Sequence, residues 1–391
     1  MNDAFPRINQ VAQAIFADGR QAHGSIAPPI VMSSTFAFAS HAELASRYAG
    51  ESADPLYSRT ENPTVALLED KLAALECGQA AIALGSGMAA ITSSVLALVR
   101  SGDRLVAIRN SYSDAHRFFD MMLPRFGVQT QYVDASDSAA LRAALPGARL
   151  FYFESPSSFM FDCHDIPALT RMARDAGVIT LFDNSFASPL RQNPLALGVD
   201  LVVHSMSKYL AGHSDVVAGC IVGSRTLIET IRTGASPFLG SKLSAHEAWL
   251  VMRGLRTLPI RMEAHERAAA VVVEALKGLP QVTRILRPGV STPLPDSLGG
   301  AGGLMTIELA ETVDIPVFCD ALKIFRLAVS WGGFESLALP ADIALRPPEP
   351  FSRHEPKGVN RRMVRLFLGL EGAEVLRADL LQAIAAASRS G

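Results

Sequence analysis

Five short runs of apolar, largely β-branched or aromatic residues recur through the middle of the chain: LVAIRN (105–110), LFYFES (150–155), VITLFDNS (178–185), LVVHS (201–205) and VAGCIVG (217–223). Helical stretches separate most of them. DAHRFFDMMLPRFG and IPALTRMARDAG carry apolar residues at helical spacing and end in a glycine, the residue that closes a helix most readily. Strands that alternate with helices predict an α/β fold, with a largely parallel sheet covered on both faces and ligand groups at the strand ends.

Past about residue 245 the texture changes. Long helical sequence (AHEAWLVMRGLRTLPIRMEAHERAAAVVVEALKGL) leads into the glycine- and proline-rich PGVSTPLPDSLGGAGG. A second, smaller α/β unit then follows, with LMTIEL, IFRLAVSWGG and VRLFLGL as strands and EVLRADLLQAIAAAS as a closing helix. The pattern predicts an N-terminal arm over 1–60, with few helix signals and reaching onto a neighbouring subunit, a large domain over 61–245 and a small C-terminal domain over 246–391.

A chain of 391 residues, 49% hydrophobic and 19% charged, can bury a large core. Its net charge of −2 and lack of a long basic run argue against nucleic acid or an anionic membrane surface as the main partner, which leaves small-molecule chemistry. Residues 80–99 are uncharged over a length that could span a bilayer. Their internal Gly85, Ser86, Gly87, Thr92, Ser93 and Ser94 fit a short strand, a glycine turn and a buried helix better than a lipid-facing rod. The opening MNDAFPRINQ has no secretory pattern, so a cytoplasmic location is expected. Cys77, Cys163, Cys220 and Cys319 form no CxxC pair and read as buried thiols in a reducing compartment.

The chemistry concentrates in LVVHSMSKYLAGHSDVVAGCIVG (201–223). Lys208 follows an apolar strand, where desolvation lowers an ammonium pKa and favours Schiff-base chemistry. Ser205 and Ser207 supply hydroxyls for a phosphate, and Asp183 ends the run VITLFDNS as a carboxylate suited to a protonated pyridine nitrogen. A strand-end lysine or aspartate alone is more often an ordinary ion pair. A second phosphate-type element, Gly85-Ser86-Gly87-Met88, follows a strand and opens a helix, so its backbone N–H groups can face a phosphate. Aldehyde, phosphate and pyridinium sites together describe pyridoxal phosphate (PLP).

Rival chemistries lack their residues. GSGM has neither the Gly-Lys-Ser/Thr of a P-loop nor the spaced glycines of a dinucleotide site. His246-Glu247 and His265-Glu266 might begin a zinc helix, but Leu250 and Ala269 stand four residues after each histidine. No metal is therefore expected, and both histidines read as helix-surface residues. His164, His204 and His213 read as hydrogen-bonded structural groups.

YSRTENPT (57–64), GSGMAA, Tyr112, FDNS (182–185), SMSKYLAGHSDVVAG and RLFLGLEG (365–372) together resemble the cysteine and methionine metabolism family of fold type I PLP enzymes, nearly end to end. The resemblance implies a mostly parallel, seven-stranded type of sheet in the large domain. It implies that Lys208 carries the cofactor, that Asp183 pairs with the pyridine nitrogen and that Tyr112 stacks on the ring, with Lys208, Tyr112 and Asp183 as the catalytic group. Gly87, Met88, Ser205 and Ser207 would bind the phosphate. Tyr57 and Arg59 would complete that site from a neighbouring subunit, in a homo-oligomer that is at least a dimer and commonly a dimer of dimers. Arg365 would bind the α-carboxylate of an amino-acid substrate, near Ser330 and Trp331.

Within the family, local motifs lean towards bacterial cystathionine β-lyase. SWGGFESL (330–337) resembles the tryptophan-containing segment of that branch. ESPSS (154–158) places Ser158 where many relatives have an asparagine near the cofactor hydroxyl, and Tyr112 is followed by Ser113. The reading is β-elimination of cystathionine or a related thioether to a thiol, pyruvate and ammonia. The alternative is a γ-elimination or γ-replacement enzyme, to whose members YSRTENPT is closer, while a 287–303 segment shorter than the family's usual one implies a different substrate entrance.

Overall fold

The computed structural model describes residues 8–19, 24–345 and 357–388. Seven strands form the larger sheet: β1 (Ala80–Leu84), β2 (Arg104–Ile108), β3 (Gln129–Val133), β4 (Leu150–Glu154), β5 (Ile179–Asp183), β6 (Leu201–Ser205) and β7 (Gly219–Gly223). Their order is β1-β7-β6-β5-β4-β2-β3. β3, β2, β4, β5 and β6 are mutually parallel, while β7 runs antiparallel to both β6 and β1. The chain therefore leaves β1, β4, β5 and β6 on the same edge.

The apolar runs do not alternate with polar residues because both faces are covered. Leu150, Tyr152, Leu181, Leu201 and Val203 pack with the helix Gly87–Leu98. Phe151, Phe153, Phe182 and Val202 point the other way, against Leu141, Leu169 and Ala173 of two further helices. Phe151, Phe153 and Phe182 are fully buried, each contributing about 2 kcal/mol of apolar transfer energy. Continuing that alternation by two residues puts Glu154, Asp183 and Ser205 on the face of the Gly87–Leu98 helix.

A five-stranded second sheet contains β8 (Val282–Leu286), β9 (Leu304–Leu309), β10 (Arg326–Leu327), β11 (Leu337–Pro340) and β12 (Met363–Phe367), ordered β10-β11-β12-β9-β8. Only β10–β11 is parallel. The long helix Leu258–Leu276 and the closing helix Ala373–Ala387 cover it through Ala269, Val272, Leu376, Leu380 and Ile384.

Residues 80–99 form β1, a glycine turn and a buried helix, as predicted. No helix among the described residues is long and apolar enough to cross a membrane. Several expectations fail for local reasons. The arm contains the helices Ile8–Phe16 and His41–Tyr48, the first burying Ala14 and Ile15 and the second capped by Ser40. IFRLAVSWGG is strand only at Arg326–Leu327, because Ser330 and Gly332 take φ of +75° and +89° and turn the chain out of the sheet. β3 escaped notice because its sequence, QTQYV, is that of a half-polar edge strand. Cys220 and Cys319 are buried, but Cys77 is exposed and Cys163 half-buried. His265 is not on a surface: it is fully buried, its Nδ1 lies 2.8 Å from the Leu368 carbonyl, and burial pulls its pKa down to about 4.

Candidate active site

The strand ends converge at one point of the large sheet. Leu84 of β1 and Ser205 of β6 both pair with Gly219 of β7, so the turn after β1 meets the turn after β6. A Cβ added to Gly87 would lie 2.8 Å from the Ser205 Cβ, so only glycine fits at the first turn of that helix. The Ser86 side chain caps the helix through the Ala89 N–H, at 3.0 Å. Ser205 receives support from the Ser185 hydroxyl, which accepts its N–H at 2.7 Å, while Ser207 bridges to both backbone groups of Ala218. A helix N-terminus flanked by Ser205 and Ser207, in a cradle with no room for a larger residue, fits a phosphate.

Lys208 sits in the turn beyond β6, half-buried. Its Nζ donates to the Ser330 hydroxyl at 2.5 Å and lies 5.6 Å from the centre of the Trp331 ring. Burial, and then the charge of Arg365, lower its pKa to about 8 against the opposing pull of Asp183. The segment leading from the second sheet reaches this lysine by close backbone approach. Gly332, at φ +89°, leaves room for the Lys208 Cα, which a Cβ there would meet at 2.9 Å.

Asp183 closes β5 and accepts the Ser185 N–H at 2.9 Å. Burial raises its pKa, while Ser185, His204 and Lys208 oppose the shift. Beside it in register stands Glu154 of β4, also raised, by burial first and then by the Asp183 charge. Adjacent carboxylates in a low dielectric resist double ionisation, and a positive charge beside Asp183 favours its ionised form. An Asp183 that gains from a nearby positive charge fits a pyridinium nitrogen.

Tyr112 begins the next wall: its N–H donates to Glu154 at 3.2 Å and its hydroxyl to Asp114 at 3.1 Å. Burial, then Asp114, holds the phenol above its usual range. Ser158 bonds to Glu154 by side chain and backbone. Arg365 on β12 donates from Nη2 to the Ser330 carbonyl at 3.1 Å, and burial lowers its pKa to about 10. Ser330 thus joins the two cationic residues, hydroxyl to Lys208 and carbonyl to Arg365, from a strained left-handed conformation.

The structure therefore brings together Gly87, Met88, Ser205, Ser207, Lys208, Asp183, Tyr112, Ser158, Ser330, Trp331 and Arg365. It does not bring Tyr57 and Arg59 to them within this chain. Both are exposed, Arg59 lies over its own Tyr57 ring at 5.5 Å, and among the described residues neither hydrogen-bonds to Lys208 or to the phosphate cradle. Glu154 and Phe159 were missed. The first had a signal, since LFYFE ends in a carboxylate just as ITLFD does. His204 is fully buried against Glu76 at 2.5 Å, as a structural group behind the sheet.

The profile of the family described as Cys/Met metabolism PLP-dependent enzyme matches residues 11–385. The chain is 40% identical over 374 residues to the L-methionine gamma-lyase of Pseudomonas putida, covering 93% of this chain and 94% of that one. Among solved structures it resembles a cystathionine gamma synthase from Xanthomonas oryzae pv. oryzae in complex with aminoacrylate and cysteine, with a TM-score of 0.89, 31% identity and coverage of 98% and 99%. It also resembles a cystathionine gamma-lyase from Lactobacillus plantarum complexed with L-serine, with a TM-score of 0.87, 34% identity and coverage of 97% and 99%. These relatives carry γ-type names, so chain-wide likeness favours the γ-acting alternative over the β-lyase suggested by local motifs.

Proposed function

The chain belongs to the Cys/Met metabolism PLP-dependent enzymes, and on that premise we propose that it is a carbon–sulfur lyase acting by γ-elimination on an L-amino acid with sulfur at Cγ, releasing a thiol, 2-oxobutyrate and ammonia. The observation that carries the choice is likeness along 93% of the chain to a methionine γ-lyase, supported by YSRTENPT at 57–64.

Bound PLP supplies an electron sink for the pair left at Cα when a proton is removed. The rest is the work of this chain. Gly87, Met88, Ser205 and Ser207 anchor the phosphate, and Asp183 keeps a proton on the ring nitrogen. Arg365 takes the substrate carboxylate in its planar fork. The Lys208 amine would accept the Cα proton. A γ-elimination needs a second proton taken from Cβ, and an amine with a pKa of about 8 can accept and return protons repeatedly near neutral pH. The Tyr112 hydroxyl, held protonated, would turn from Asp114 to donate to the departing sulfur. Tyr57 and Arg59, exposed in this chain, would complete the phosphate site of a neighbouring copy, so the active unit would be at least a dimer.

One observation favours the β-elimination reading: the Trp331 ring stands 5.6 Å from the Lys208 amine, in the segment that resembles the β-lyase branch. Incubating the PLP-loaded protein with L-methionine tests the proposal. Methanethiol with 2-oxobutyrate is expected, and a protein that turns over L-cystine to pyruvate while leaving L-methionine intact would overturn it.

A further inference from the structure

Arg365 is half-buried, yet among the described residues it forms no ion pair, and its one side-chain hydrogen bond is Nη2 to the Ser330 carbonyl at 3.1 Å. Its Nε and Nη1 have no protein acceptor among those residues. The group placed against it is Phe159, whose ring centre lies 5.3 Å from the Arg365 Cζ. Phe159 belongs to the large domain, in the loop after β4, and Arg365 to the small one.

The conformation of Phe159 is unusual for its type. Its φ is +64°, in the left-handed region that bulky residues avoid, and Phe161 two positions on has φ +56°. The loop is fixed at several points. The Thr306 hydroxyl donates to the Phe159 carbonyl at 2.8 Å, the Ser158 N–H to the Asn110 carbonyl at 3.1 Å, and the Phe161 N–H to the Ser157 carbonyl at 3.1 Å. Thr306 is fully buried on β9, directly opposite Arg365 in the β9–β12 register. The strand beside the arginine thus grips the residue that covers it.

We propose that Phe159 is the positioning residue of the carboxylate site: its ring lies against the Arg365 guanidinium, which Nη2 ties to the Ser330 carbonyl, and it keeps the remaining N–H edge turned to the substrate. The inference rests on the assignment of Arg365 to the carboxylate. A guanidinium is weakly hydrated and stacks well on aromatic faces, so a ring can hold its plane without competing for the N–H donors the substrate needs.

The test uses the PLP-loaded protein and two small amines with no leaving group, glycine and methylamine, titrated by the change in cofactor absorbance. F159L should weaken glycine binding about fivefold, the loss of one partly desolvated cation–π contact. It should leave methylamine unchanged, and F159Y, which restores a ring, should bind glycine like the wild type. T306V, which releases the Phe159 carbonyl while keeping the ring, should weaken glycine selectively and by less, and it decides the matter if F159L does not fold. Wild-type glycine affinity in F159L and T306V, or an equal loss for glycine and methylamine, would overturn the inference. Should R365A also bind glycine like the wild type, the assignment of Arg365 fails as well; should R365A alone lose affinity, only the role of Phe159 fails.

Discussion

The two halves of the site are built differently. Along the seven-stranded sheet, Asp183, Ser205, Gly87 and Lys208 sit at or just beyond the ends of strands whose register is set by a core buried on both faces. Beside the five-stranded sheet, Ser330, Trp331 and Gly332 lie in an irregular segment that leaves the sheet after two strand residues and reaches Lys208 through left-handed backbone. Topology fixes the first half. The second depends on individual side chains and strained turns, which can vary without disturbing a sheet. That contrast would let a chain match a family over residues 11–385 while a few local motifs resemble a different branch.

Mutations can break this contrast. Lys208→Ala on the cofactor side should cost the most, lowering kcat by about 10⁴-fold or more on every substrate and shifting the cofactor absorbance band to that of the unlinked cofactor; retained turnover would remove Lys208 from the chemistry. Asp183→Asn, which keeps the shape and removes the charge, should lower kcat about a hundredfold with little change in KM. Arg365→Ala on the substrate side should reverse the split, raising KM about thirtyfold for amino acids with a free carboxylate while sparing the cofactor spectrum, since an anion loses its paired cation. An Arg365→Ala effect confined to kcat would contradict the division.

The pH profile gives the smallest effect. A depressed pKa means that Lys208 becomes neutral, and able to accept a proton, above about pH 8, where an ordinary lysine would stay charged until above 10. kcat should therefore climb about tenfold per unit below pH 8 and level off above it. A profile still climbing at pH 10 would show that Lys208 is not desolvated during turnover.

The same contrast decided what could be read from the residues. Lys208, Asp183 and Gly87 were legible because strand-end placement follows from apolar runs and their punctuation. The helix Gly87–Leu98 was legible despite looking like a membrane span, since Ser86 and Gly87 mark its start. Phe159 was not, because nothing in ESPSSFMF signals a phenylalanine with positive φ, and its partner Thr306 is 147 residues away. The bridging role of Ser330 depends likewise on a backbone turn that an apolar-looking IFRLAVSWGG conceals. The burial of His265 was missed because helical spacing gives a face but not which face meets the second sheet.

The most direct measurement is the keto acid formed from L-cystathionine by the PLP-loaded protein, because both of its carbon–sulfur bonds are open to attack and each gives a different product. The γ-elimination account predicts 2-oxobutyrate with cysteine. Pyruvate with homocysteine would contradict it and assign the chain to β-elimination, with Trp331 a better guide than chain-wide likeness.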